Sequence, residues 1–132
     1  MKRLVFLFVP LLASCAVYDA LTMTGFDPNE YRIIAEIRAD ANRYKLQCDT
    51  PTAQANARAL ADKTQLFEIY SEQIPSNKDG YGASKSLNEI AQGLAERYTQ
   101  PTPVNNMFCK IKYNSIENSA KILQHVIGNK PR

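Results

Sequence analysis

The chain has 132 residues, 45% of them hydrophobic and 22% charged, enough for one domain with one modest core. Sixteen basic against thirteen acidic side chains give a formal net charge of +3, but Lys2 and Arg3 stand ahead of an uncharged apolar run. Without residues 1–14 the balance is 14 to 13, a net of +1, and the case for nucleic-acid binding by bulk charge disappears.

Lys2 and Arg3 followed by Leu4–Ala13, a stretch rich in Leu, Val and Phe, form the charged and apolar regions of an export signal. The run is too short for a spanning helix, which needs about 20 residues. It ends in Leu12-Ala13-Ser14-Cys15. That tetrapeptide resembles the lipobox of bacterial lipoproteins, with Leu12 at the branched aliphatic position, Ala13 and Ser14 at the small ones, and Cys15 as the lipidated residue. The resemblance implies that residues 1–14 are removed, that the Cys15 thiol receives a diacylglycerol, and that the new amino group takes an N-acyl chain. No other cofactor is expected. Two or three acyl chains hold a protein firmly to a bilayer. Position 16 is Ala rather than Asp, which by resemblance to enterobacterial lipoproteins implies forwarding to the outer membrane, in the inner leaflet facing the periplasm. The expected partners are the lipid membrane, through Cys15, and an envelope protein of unknown identity, with no nucleic acid.

Residues 15–26 read as a lipidated N-terminus and short tether, and residues 27–130 as a helical domain. Asp27-Pro28-Asn29-Glu30 is a helix start: Asp27 the N-cap, Pro28 the first helical residue, Glu30 completing a capping box, and Phe26 placed to staple onto Tyr31. Tyr31, Ile34, Ile37, Ala41, Tyr44 and Cys48 follow at alternating spacings of three and four, one face of an amphipathic helix. Thr50-Pro51 repeats the start signal. The second helix carries Ala53, Ala57, Leu60, Thr64, Phe67 and Ile74 on its stripe, broadened by Leu66, Ile69 and Tyr70, and ends at Pro75.

Ser76 to Gly82 is loop by composition, and a third helix from Ala83 or Ser84 carries Leu87, Ile90, Ala91, Leu94 and Tyr98. Gly93 inside it costs about 1 kcal/mol relative to Ala, which close approach of a neighbouring helix would offset. Thr102-Pro103 starts the fourth helix, with Cys109, Tyr113, Ile116, Ala120, Leu123 and Ile127 on its stripe and Gly128 and Pro131 at its end. The fold expected is all-α, an antiparallel up-down-up-down four-helix bundle. Cys48 and Cys109 form an even pair in an exported chain and predict a disulfide between the first and last helices. A bridge closing that loop stabilises by about 4 kcal/mol.

Chemistry is sparse. His125, the one histidine, has no convincing ligand neighbours, no Glu-x-x-His occurs, and neither a phosphate loop nor a nucleophile elbow is present, so no catalytic or metal residue is expected. The carboxylate pairs Glu36 with Asp40 and Glu68 with Glu72 read as solvated helix faces. Tyr81 stands apart, between Gly80 and Gly82 in a loop with no stripe to serve. In the expected topology this loop shares the membrane-proximal end with the C-terminus. Lys78, Tyr81, Lys130 and Arg132 are therefore the expected contacts with lipid headgroups or a membrane partner. Three functions remain: a non-enzymatic interaction or structural module of the envelope; a phage or prophage lipoprotein of superinfection exclusion or lysis; and an inhibitor or enzyme acting on peptidoglycan, for which Gly80-Tyr81-Gly82 is the candidate protruding motif.

Overall fold

The computed structural model describes residues 24–132. The residues read as an export signal, and Cys15, lie outside them. Four helices follow one another: α1 (Pro28–Tyr44), α2 (Ala53–Gln73), α3 (Lys78–Thr99) and α4 (Asn106–Gly128). Each packs on two neighbours, α1 on α2 and α4, α3 on α2 and α4, while the diagonal pairs do not meet. The result is the antiparallel four-helix bundle that the stripes and short connections predict. No described helix is long and apolar enough to cross a membrane.

One core runs the length of the bundle. Ile34, Ile37 and Ala41 of α1, Leu60 and Phe67 of α2, Leu87 and Leu94 of α3, and Tyr113, Ile116 and Ala120 of α4 are all buried. These are the residues the helical periodicity selects, because spacings of three and four return a side chain to the same face. Polar pairs sit beside that core. Across α2 and α3, the Thr64 hydroxyl donates to Asn88 (2.9 Å), Asn88 donates to Glu68 (2.6 Å), and Gln92 donates to the Ala61 carbonyl (3.2 Å). Lys63 of α2 pairs with Asp40 and Glu36 of α1, and Lys45 with Glu117 of α4. Of the carboxylates expected on solvated faces, Glu36, Asp40 and Glu68 thus tie helices together, while Glu72 is exposed as expected.

The helix ends differ from the sequence reading. Asp27 does cap α1, accepting from the amides of Asn29 (2.8 Å) and Glu30 (3.0 Å), and the Phe26 and Tyr31 rings lie 5.8 Å apart as a staple. Glu30, however, does not close a capping box: it is fully buried and meets Lys130. Cys48 lies beyond α1, in the turn that leads to α2, because the chain leaves the helix at Lys45. Thr50 spends its hydroxyl on the Gln47 carbonyl, so α2 starts at Ala53 instead of Pro51. Thr102-Pro103 does not start α4. The Arg97 guanidinium takes the carbonyls of Thr102 and Pro103, and Asn105 caps the helix through the amides of Met107 and Phe108. Cys109 therefore sits one turn nearer the helix end than expected, and the Cα atoms of Cys48 and Cys109 are 6.0 Å apart in the disulfide.

Of the segment read as a loop, Ser76 and Asn77 are indeed outside any helix, but from Lys78 onward it is the start of α3. The chain turns at Ser76, in the left-handed region with φ of 58°, and Tyr81 N–H donates to the Asn77 carbonyl. Gly80 belongs to this turn for a packing reason: a Cβ there would lie 2.3 Å from the Asn77 side chain. Gly93 gives the opposite result. It is exposed, nothing lies within 4 Å of where its Cβ would be, and no helix approaches it.

Candidate functional site

One end of the bundle gathers the chain entry, the α2–α3 connection and the C-terminus. Phe26 N–H donates to the Pro131 carbonyl at 2.7 Å, and the Arg132 guanidinium stacks 5.0 Å from the Phe26 ring centroid. Beneath them Lys130 Nζ lies 2.7 Å from Glu30 Oε2 and 3.3 Å from Asn77 Oδ1, while Asn77 Nδ2 donates to Glu30 Oε1 at 3.2 Å. Side-chain exposure is 8% for Lys130 and 0% for Glu30, so this is a buried ion pair with amide support. The opposite end holds the disulfide, with Cys109 fully buried.

Of the four residues expected to touch the membrane, Lys130 is spent on this internal pair and Arg132 covers Phe26. Tyr81 is half-buried within the first turns of α3, and Lys78 is exposed. The structure does bring their segments to one end, where Thr24, Ser76, Lys78, Leu123, Val126 and Ile127 border an open groove of about 500 Å³. Gly80-Tyr81-Gly82 forms no protruding loop.

Asp27 is the most strongly hydrogen-bonded acid at this end. Partial burial pushes its pKa up, but the amides of Glu30 and Asn29 and the Tyr70 hydroxyl outweigh that and hold it below the ordinary carboxylate value. The same contact, after burial, pushes the Tyr70 hydroxyl up. In the core, burial raises the Tyr113 pKa strongly, and its hydroxyl has no hydrogen-bond partner. His125 is exposed and bonds only to Asn129 of the next turn. Among the described residues no three His, Cys, Asp or Glu side chains converge as metal ligands would.

The least expected feature is on the outside. Met107 (70% exposed), Ile111 (55%), Ile122 (65%) and Val126 (55%), with Phe108 beside them, stand on α4 away from the core. At 3.6 residues per turn they fall within an arc of about 100°, a second apolar stripe about 28 Å long on a helix whose other face is already core. Its middle is polar, with Asn114, Ser115, Asn118 and Ser119, so the apolar residues form two clusters, Met107, Phe108 and Ile111 near the start of the helix and Ile122 and Val126 near its end. On α2, at the diagonally opposite corner, Leu66 and Ile69 are also more than half exposed, instead of widening the buried stripe as expected.

Sequence reasoning missed the α4 face because it sought one stripe per helix. A signal was present in the spacing of Met107, Ile111, Ile122 and Val126. Compared with known proteins, the chain matches no family model, no curated protein and no solved structure.

Proposed function

We propose that this chain is a lipid-anchored, non-enzymatic interaction module of the bacterial envelope, an adaptor that holds a partner protein close to a membrane. The lipobox resemblance at Cys15 supports the anchor, and the exposed apolar faces of α2 and α4 at opposite corners of the bundle carry the reading. Packing does not call for these residues, since each helix already buries a stripe of its own. With Gly80-Tyr81-Gly82 inside α3, a peptidoglycan-directed inhibitor loses the protruding segment that favoured it.

Leu66 and Ile69 of α2, set among Arg58, Asp62, Gln65 and Gln73, offer the mixed apolar and polar surface of a protein contact. Crosslinking and pull-down of the lipidated protein from its native envelope tests this. The wild type retains a crosslinked protein that a Leu66→Glu/Ile69→Glu variant loses. A wild type that recovers no protein partner refutes the adaptor.

A further inference from the structure

The α4 face differs from the α2 face in its charges. Lys110, Lys112 and Lys121 flank the exposed stripe, and none of them makes an ion pair among the described residues. The single acid of α4, Glu117, lies off the stripe and is held by Lys45 at 2.6 Å. Lys112 also lies 5.5 Å from the Phe108 ring centroid, keeping a cation beside an apolar side chain. Such a surface, with apolar clusters toward both ends of the helix and unpaired lysines at their edges, has the composition of a helix that lies in the plane of an anionic bilayer with its apolar side chains below the headgroups.

The course of the chain points the same way. Thr24 borders the groove with Val126 and Ile127, so the N-terminal segment joins the domain beside the C-terminal end of α4. Eight residues lie between Cys15 and Thr24, nine Cα–Cα steps with a reach of at most about 30 Å. A lipidated Cys15 would thus bring α4 within reach of its own leaflet, with α2 on the far side of the bundle.

We infer that the outward face of α4 (Met107, Phe108, Ile111, Ile122 and Val126 with Lys110, Lys112 and Lys121) docks on the anionic lipid leaflet that carries the anchor. The inference rests on the lipid-anchored reading above. It lays the bundle on its side, α4 down, and turns Leu66 and Ile69 of α2 toward the periplasm. The membrane contact shifts from the end of the bundle to one helix along its flank.

The chain contains no tryptophan, so a single introduced indole reports its own depth. The lipidated protein is reconstituted in phosphatidylethanolamine–phosphatidylglycerol vesicles with brominated acyl chains. The indole from Ile122→Trp is quenched and blue-shifted, and that from Ile69→Trp is not. Separately, the mature chain with Cys15→Ser binds the same vesicles, and Lys110→Gln/Lys112→Gln/Lys121→Gln weakens that binding on the order of a hundredfold, at roughly fivefold per lysine. Helical circular dichroism confirms that the variants fold.

Quenching of neither indole, or of the Ile69→Trp indole instead, overturns the inference. So does a dimer of the Cys15→Ser chain that Ile122→Glu dissolves while vesicle binding is absent, since a second copy would then cover the face. If quenching fails but Leu66→Glu/Ile69→Glu still loses its crosslinked protein, lipid docking falls and the adaptor stands. Quenching at α4 with no crosslinked protein gives the converse.

Discussion

Replacing Lys130 by Met should destabilise the protein by about 3 kcal/mol. Met keeps most of the volume of the lysine stem but removes the ammonium 2.7 Å from a carboxylate that has no solvent exposure. Breaking a buried pair by removing one partner costs about 3–5 kcal/mol, because the survivor stays charged and desolvated. The lower end applies here, since Glu30 retains the Asn77 amide at 3.2 Å and the Lys130 side chain keeps 8% exposure. Glu30→Gln in the same chain removes the orphan charge and keeps an acceptor for Asn77. The double variant should therefore lie within about 1 kcal/mol of wild type, and a double-mutant cycle should return a coupling of about 2 kcal/mol or more. Urea denaturation with the disulfide intact measures all four proteins. A loss below about 1 kcal/mol for Lys130→Met alone would show that the pair is hydrated in solution and would refute the reasoning.

Three other perturbations follow from the described geometry. Gly93→Ala places a methyl group in open space on an exposed helical position, so it should raise stability by about 1 kcal/mol and the Tm by about 4 °C, read by thermal denaturation. Cys48→Ala/Cys109→Ala opens a loop with a sequence separation of 61 and should lower the free energy of unfolding by about 4 kcal/mol in the chain-entropy model, checked by urea titration against the oxidised wild type. The depressed pKa of Asp27 means that its cap contributes stability at pH above its unfolded value of about 3.9, and that the contribution is lost as the pH falls through the lower folded value. Asp27→Asn, which still caps but does not titrate, should show a shallower loss of stability across that acid range in pH-dependent unfolding.

The core was legible because burial and helical period are the same fact seen twice: Ile34, Ile37, Phe67, Leu94, Tyr113 and Ile116 repeat at spacings that only a helix turns to one side. The helix ends were less legible, because capping signals are local and compete. Thr50 and Thr102 each precede a proline, yet Thr50 turns back to Gln47, and Arg97 claims the carbonyls at 102 and 103. Ser76 to Gly82 looked like a loop since Gly and Asn favour turns. From Lys78 it is helical, and Asn77 just ahead of that start is held by Glu30 and Lys130, residues 47 and 53 positions away. No local pattern carries that information. The candidate membrane residues divided for the same reason: Lys78 stayed exposed, while Lys130 found a carboxylate far back in the chain.

The α4 face was hidden for a different reason, which also bears on what it is for. A helix that only closes a bundle needs one apolar arc, and α4 has it in Cys109, Tyr113, Ile116, Ala120, Leu123 and Ile127. Its outward residues make no demand on the fold, and at such positions polar substitution usually changes stability by less than about 0.5 kcal/mol. Ile111→Lys and Ile122→Lys should therefore leave urea midpoints nearly unchanged. Any loss they cause, in membrane docking or in partner capture, then belongs to the surface and not to the core. The disulfide adds to this separation by fixing α4 near its N-terminal end to the turn after α1, while Glu30–Lys130 secures the opposite end. Pinned at both ends, α4 can present an apolar face to a bilayer without its core stripe rolling outward to compete for the same contact.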